Sequence, residues 1–75
     1  MNLLSYLPNE STEKIIAEGC TLGQAFTMID NWCYDNNAEF NWDRAYKYDC
    51  DPDFFIQCFD KDTHKLVINF IITWN

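Results

Sequence analysis

The chain has 75 residues, of which 48% are hydrophobic, and its twelve acidic and five basic side chains give a formal net charge of −7. This size fits one domain, residues 1–75, with a small core, and the apolar content excludes a disordered chain. The charge argues against direct binding to nucleic acid or to an anionic membrane, because both present negative phosphates, and it leaves a basic protein surface as the complementary partner. The alternative is that the charge serves only solubility.

The N-terminal segment contains one short predicted helix. Residues 11–18 can begin with a capping hydroxyl side chain and can end at Gly19, a residue that readily adopts the left-handed conformation. A strand at residues 14–17 is the alternative for the same segment. Residues 1–7 carry enough apolar side chains to dock the start of the chain on the rest of the domain.

A second, longer helix follows. Thr21 and Gln24 form a capping box, in which each side chain satisfies a free backbone N–H of the other residue. The apolar residues then recur at intervals of three and four, which places them on one face of a helix. These residues are Leu22, Ala25, Phe26, Ile29, Trp32 and Cys33. The helix is expected to end near Asn36 and Asn37, because asparagine tolerates left-handed geometry.

The rest of the sequence has the alternating period of strands. Phe40, Trp42, Tyr46 and Tyr48 alternate with polar or small residues, as in a half-buried strand. The expected segments are a strand at 40–48, a turn at 49–53, a strand at 54–59, a hairpin loop at 60–64 and a strand from 65 to about 74. The predicted fold is therefore α+β, with two N-terminal helices packed on a three-stranded antiparallel sheet.

The last predicted strand is apolar on both faces. Its even-numbered residues from 66 to 74 include no charged side chain, and its other face includes Val67 and Ile71. An exposed edge of this composition would promote aggregation. We therefore expect this strand at the centre of the sheet, with the three strands in the order 2-3-1. The alternative is an edge covered by a second chain, which would make the protein a homodimer.

The four cysteines are expected to be reduced and packed in the core. They are irregularly spaced without a C-x-x-C pair, and His64 is the only histidine, so the spacing of a zinc site is absent. The sequence predicts neither a signal peptide nor a transmembrane helix. A cytoplasmic location is therefore expected, and disulfides are rare in that compartment.

No segment carries the pattern of a catalytic or cofactor site. The D-x-D sequence between Asp49 and Asp53 resembles the start of a calcium loop, but Phe54 stands where that loop needs glycine. A lone histidine in a charged hairpin is weak support for nucleophilic catalysis. We therefore expect neither an enzyme nor a bound metal or cofactor.

Nine of the twelve carboxylates lie between Asp30 and Asp62, together with most of the aromatic residues. Carboxylates two residues apart in an extended chain are about 7 Å apart, close to the spacing of alternate phosphates along a DNA strand. Aromatic side chains add anchors, because Trp and Tyr often contribute much of the binding energy. The predicted partner-binding residues are Asp30, Tyr34, Asp35, Glu39, Asp43, Asp49, Asp51, Asp53, Asp60 and Asp62.

The chain resembles small phage-encoded inhibitors of bacterial defence in its length, its acidity, its helices followed by a small antiparallel sheet, and its richness in Asn, Ile, Phe and Tyr. Anti-CRISPR proteins and DNA-mimic anti-restriction proteins are the main examples. The resemblance covers the whole chain through size and composition, and it transfers no functional residue. It implies a non-enzymatic inhibitor, in the host cytoplasm, that binds the basic surface of a nucleic-acid-processing protein or complex. The alternative is a small interaction or assembly protein, a dimer or an immunity-type partner, that uses its apolar C-terminal strand.

Overall fold

In the computed structural model, residues 1–45 and 53–74 are described, and residues 43–45 are described by their backbone alone. Within these ranges the chain forms one helix and a five-stranded antiparallel sheet. The elements in chain order are β1 Asn2–Tyr6, β2 Lys14–Ala17, α1 Leu22–Asp35, β3 Ala38–Ala45, β4 Asp53–Asp60 and β5 Leu66–Thr73. The predicted strand beyond Ala45 and the predicted turn up to residue 52 lie outside the described residues.

The first predicted helix is wrong, and with it the prediction of two helices on a three-stranded sheet. Residues 14–17, the alternative assignment, form strand β2, which pairs antiparallel with β1. A helix of about two turns is marginal without packing, whereas adjacent β-branched residues such as Ile15 and Ile16 favour a strand that has a partner. Gly19 does adopt the left-handed conformation, with φ 64°, but it follows a strand.

β5 lies at the centre of the sheet, as predicted, but its neighbours differ from those expected. The strand order is β2-β1-β5-β4-β3, so β5 pairs with β1 and β4, and the order 2-3-1 is wrong. β1 takes the place expected for β3 because its alternating apolar residues, such as Leu3 opposite Ile72, match the register of β5. Both edges of β5 are occupied, and neither is open to a second chain.

α1 begins and ends where the sequence predicts. The backbone N–H of Gln24 donates to Thr21 Oγ1 at 3.1 Å, and the backbone N–H of Thr21 donates to Gln24 Oε1 at 2.9 Å. The last turn is capped by the backbone N–H of Asn36, and Asn37 adopts a positive φ of 51°. Signals local in the sequence therefore determine both ends of the helix.

The core lies between α1 and one face of the sheet, which we call the helix side. The most deeply buried apolar residues are Leu3, Ala25, Ile29, Ile56, Cys58 and Ile72. On α1, the ring of Phe26 lies 6.0 Å from the rings of Trp42 and Phe54, edge to face with each. Such pairs add about 0.5–1.5 kcal/mol beyond the apolar area that they bury, so they help to hold the helix on a small sheet.

Three of the cysteines are buried free thiols, as predicted. They are Cys20, Cys33 and Cys58, and Cys50 lies outside the described residues. The Sγ atoms of Cys33 and Cys58 are 3.7 Å apart. Burial raises the pKa of both thiols, so both stay protonated at neutral pH and pack as small apolar side chains.

The opposite face of the sheet has no described element packed on it. Paired residues of neighbouring strands point to the same face, so the strand register identifies the side chains that point away from α1. We call this surface the open face. Its residues by register are Asn2, Leu4, Tyr6, Ile15, Glu39, Asn41, Asp53, Phe55, Gln57, Phe59, Asn69, Ile71 and Thr73. Asn69 is buried among them, and Asp43 is the strand partner of Phe55.

Candidate protein-binding surface

Several of the predicted acidic residues meet at one end of the sheet, where the C-terminal half of α1 lies beside the start of β3 and the tip of the β4–β5 hairpin. An open groove of about 460 Å³ separates these three elements. Its lining includes Asp30, Cys33, Tyr34, Ala38, Glu39 and Lys61. The fold therefore brings together acids that are nine residues apart in the sequence and belong to different elements.

Tyr34 is the exposed aromatic residue of this region. Its side chain is 88% exposed, and it lies one helical turn after Asp30, on the same side of α1. Strand β3 contributes Glu39 to the same groove. Two carboxylates and a phenol ring are therefore available to one contacting side chain, and a cation can interact with all three.

The tip of the hairpin is organised by Asp60. Its Oδ1 atom accepts the backbone N–H groups of Thr63 at 2.9 Å and Asp62 at 2.8 Å. These hydrogen bonds lower the pKa of Asp60, because they stabilise the ionised carboxylate. The carboxylate of Asp60 thus has a structural role, because it fixes the backbone of the hairpin loop.

Asn37 joins the end of the helix to the same hairpin. Its side-chain Nδ2 donates to Asp62 Oδ2 at 3.0 Å, and its carbonyl oxygen accepts the backbone N–H of Lys61 at 3.0 Å. The positive φ of Asn37 turns the chain so that both contacts form. Asp62 is therefore held beside the C-terminal end of α1.

Asp35 ends α1 at a position where a negative charge is unfavourable. The C-terminal end of a helix carries partial negative charge from its free carbonyl groups, and a nearby anion costs about 0.3–1 kcal/mol. The last turn of α1 has no basic residue to compensate. Asp30, Tyr34 and Glu39 line the groove, Asp62 bonds to Asn37 at the end of the helix, and Asp35 precedes Asn37 by two residues. We call these five residues the acidic face.

Asp53, another predicted residue, does not join the acidic face. Asp53 begins β4, seven residues before Asp60, so about 24 Å of strand separates the two. Asp49 and Asp51 lie outside the described residues, and only the backbone of Asp43 is described. Among the described residues, the acidic block of the sequence therefore divides between the two ends of β4.

Two polar residues of this surface were not among the predicted site residues. Lys61 lines the groove, and Asn37 positions the hairpin beside the helix. Asn36 and Asn37 predict a turn at the end of the helix. Nothing in the sequence indicates that Asn37 bonds to Asp62, which lies 25 residues later in the hairpin loop.

The described residues contain no group of three side chains suited to hold a metal ion. Nor does α1, the helix of those residues, have the length and apolar character needed to cross a membrane. No family model matches the chain, no curated protein matches it, and no solved structure matches it.

Proposed function

We propose that this protein is a small non-enzymatic inhibitor that binds, through its acidic face, a basic surface of a nucleic-acid-processing protein or complex. The observation that carries the proposal is the position of Asp35. A carboxylate kept at the C-terminal end of a helix reduces the stability of that helix, so solubility alone is a poor reason for its place. Binding to a cationic partner would offset that cost.

The shape of the acidic face supports the same function. Asp30 and Glu39 line a groove that is wide enough for a long basic side chain, and Tyr34 stands beside it with most of its ring exposed. Arginine fits this combination best, since its planar guanidinium can bond to carboxylates and stack on an aromatic ring at the same time. Tyrosine and arginine are also common among the residues that dominate interface energies.

The acidic face has few charges, and this determines the kind of contact that we propose. Four carboxylates, at Asp30, Asp35, Glu39 and Asp62, match a compact basic patch better than a long nucleic-acid groove. The partner is thus bound at one site where it would otherwise contact phosphates, and it loses access to nucleic acid there. Attraction between opposite charges would raise the association rate and would weaken as salt is added.

A capture experiment with two matched variants tests the proposal. The wild-type protein, the double variant Asp30→Lys/Asp35→Lys and the variant Asp53→Lys are immobilised and exposed to bacterial host lysate. We expect the wild type and Asp53→Lys to retain the same nuclease or effector complex, and the double variant to lose it, because Asp53 lies at the far end of β4. The purified complex is then assayed for nucleic-acid cleavage with each variant present.

Three results would contradict the proposal. They are capture of no nucleic-acid-processing protein, equal capture by all three chains, and capture without any inhibition of cleavage. Circular dichroism of the double variant provides the control for folding, and we expect its helix signal to be retained, since lysine suits the C-terminal end of a helix.

A further inference from the structure

Two of the buried thiols touch each other where α1 packs on β4. Cys33 lies on the buried side of α1, and Cys58 lies on the helix side of β4. Their Sγ atoms are 3.7 Å apart. A disulfide bond is about 2.05 Å long, so the two sulfur atoms are within about 1.7 Å of bonding distance. The fold therefore brings two cysteines, 25 positions apart in the sequence, within reach of one covalent bond.

The two thiols differ in their access to solvent. Cys33 lines the open groove beside the acidic face and is 5% exposed, whereas Cys58 is 0% exposed. A small reagent in the groove therefore meets the sulfur of Cys33 first, with the sulfur of Cys58 behind it. An accessible cysteine with a second thiol next to it is the arrangement of an attacking and a resolving cysteine.

The charges around the groove favour a cationic reagent. Asp30 on α1 and Glu39 on β3 line the groove together with Cys33, and Lys61 is the cation among the lining residues. Two carboxylates and one ammonium attract a cation and repel an anion. A small disulfide that carries ammonium groups, such as cystamine, therefore matches this groove better than the anionic glutathione disulfide.

We propose that Cys33 is a site of thiol–disulfide exchange with small disulfides, and that Cys58 then closes an internal Cys33–Cys58 disulfide. In the first step, Cys33 Sγ attacks one sulfur of the reagent, the S–S bond of the reagent breaks, and one thiolate leaves. In the second step, Cys58 Sγ attacks Cys33 Sγ and displaces the other thiolate. The two cysteine protons end on the two released thiols, so the reagent is reduced as the protein is oxidised.

The surroundings of Cys33 determine how fast this exchange proceeds. Burial raises the pKa of Cys33, the hydrogen bond with Cys58 lowers it, Asp30 raises it and Lys61 lowers it, with a raised pKa as the net result. The thiolate is the attacking species, and its fraction grows about tenfold per pH unit below the pKa. The exchange is therefore slow at neutral pH and faster in mild alkali.

Peptide mapping of the full chain tests the proposal. The reduced wild type is incubated with cystamine at about pH 8.5, remaining free thiols are alkylated, and the protein is digested with a protease that cleaves before aspartate. This digestion leaves each cysteine in its own peptide, with Cys33 in residues 30–34 and Cys58 in residues 53–59. We expect these two peptides to be joined, and the intact protein to be lighter by two hydrogen atoms.

Three cysteine variants test the order of the two steps. Cys58→Ala should keep the cysteamine adduct on Cys33, because no second thiol displaces it. Cys33→Ala should leave Cys58 unmodified over the same time. Cys20→Ala is the matched control, since it removes a buried thiol at the other end of α1, and it should form the disulfide at the wild-type rate.

Four results would overturn the proposal. They are a wild type that stays fully reduced, a wild type that keeps the adduct, a cross-link that contains Cys20 or Cys50, and modification of Cys58 in Cys33→Ala as fast as in the wild type. The wild-type peptide map decides the first three, so it does not depend on how well any variant folds.

The choice of reagent has its own test. Cystamine should react roughly threefold or more faster than glutathione disulfide in low salt, and added salt should reduce the difference. Asp30→Asn should reduce this preference more than Asp53→Asn, which makes the same change in net charge at the far end of β4. Equal reduction by both variants would overturn the entry of the reagent through the groove.

The disulfide should also stabilise the fold. It closes a loop between residues 25 positions apart, which restricts the unfolded chain. The oxidised protein should therefore unfold in urea at a midpoint about 1–3 M above that of the reduced protein. A lower midpoint would show that the fold opposes the bond and would overturn the proposal. These measurements need no binding partner, so their outcome is independent of the proposed function.

Discussion

The two faces of this sheet are built from the same strands but have opposite chemistry. On the helix side, alternate residues pack under α1, and carboxylates lie around the margin of that contact. On the open face, Leu4, Ile71 and Phe55 pair across three strands as an apolar row, and Asn69, Gln57 and Asn41 pair as an amide row beside it. The contrast shows that one small sheet can build a core on one face and leave apolar side chains partly exposed on the other.

β5 makes the contrast clearest, because consecutive residues of this central strand belong to different faces. Ile72 is fully buried under the helix side of the sheet, whereas Ile71 is partly exposed on the open face. The two residues have the same side chain and hydrogen-bond in the same strand. A difference in the stability lost when each residue is truncated therefore measures the difference in packing between the two faces.

The largest expected effect comes from truncating these two residues. Ile72→Ala should lower the free energy of unfolding by about 3–4 kcal/mol, since it leaves a cavity in the core. Ile71→Ala should cost roughly 1 kcal/mol in the monomer, because solvent and neighbouring side chains fill the space. Urea denaturation measures both values. Equal costs would show that the open face is covered in the monomer.

A second, smaller effect is expected at alkaline pH, and it arises on the helix side. Burial raises the pKa of the Cys58 thiol above its ordinary value of 9.0, so the folded state keeps a proton that the unfolded state releases. Stability is therefore complete below pH 9 and falls as the pH rises further, by about tenfold in the folding equilibrium per pH unit for this thiol.

Comparison with Cys58→Ala isolates this contribution. The variant loses some packing at every pH, but its stability should fall less steeply above pH 9 than that of the wild type. Thermal or urea denaturation between about pH 7 and 10.5 gives the two slopes. Parallel curves would mean that the thiol is already accessible to solvent in the folded protein.

The smallest expected effect concerns the margin of the helix side. Asp35→Lys should raise the free energy of unfolding by about 0.5 kcal/mol, because a cation at the C-terminal end of α1 interacts favourably with the helix dipole. Asp53→Lys makes the same change in net charge but should gain less, since Asp53 begins a strand. Urea denaturation of both variants in low salt measures the difference. An equal increase in the free energy of unfolding in both variants would show that the effect comes from net charge and not from the position at the helix end.

The local parts of the fold could be predicted from the sequence, and the long-range pairings could not. The capping box of Thr21 and the spacing of α1 involve residues at most four positions apart, so the sequence contains their whole context. The pairing of β1 with β5 joins Asn2 to Thr73, and nothing near residue 2 indicates that partner. The same gap explains the error at residues 14–17, whose strand depends on pairing with β1.

The candidate site shows the same limit. Asp30 and Tyr34 lie one helical turn apart, so helical spacing alone places them next to each other. The separation of Asp53 from them depends on the register of β3 with β4, in which Ala38 lies opposite Asp60 and Ala45 opposite Asp53. The spacing of residues along the chain does not reveal the register in which two strands pair. The sequence alone therefore could not show that acids of one block lie at opposite ends of the sheet.

The central place of β5 also affects how the chain is made. Synthesis produces the β1–β2 hairpin first and the β3–β4 hairpin later, and the two become one sheet only when β5 inserts between β1 and β4. Isolated two-stranded hairpins are marginal in water. A nascent chain therefore cannot complete its core on the ribosome until residues 66–73 have emerged, and a stop codon before that segment would release two hairpins exposed to proteolysis.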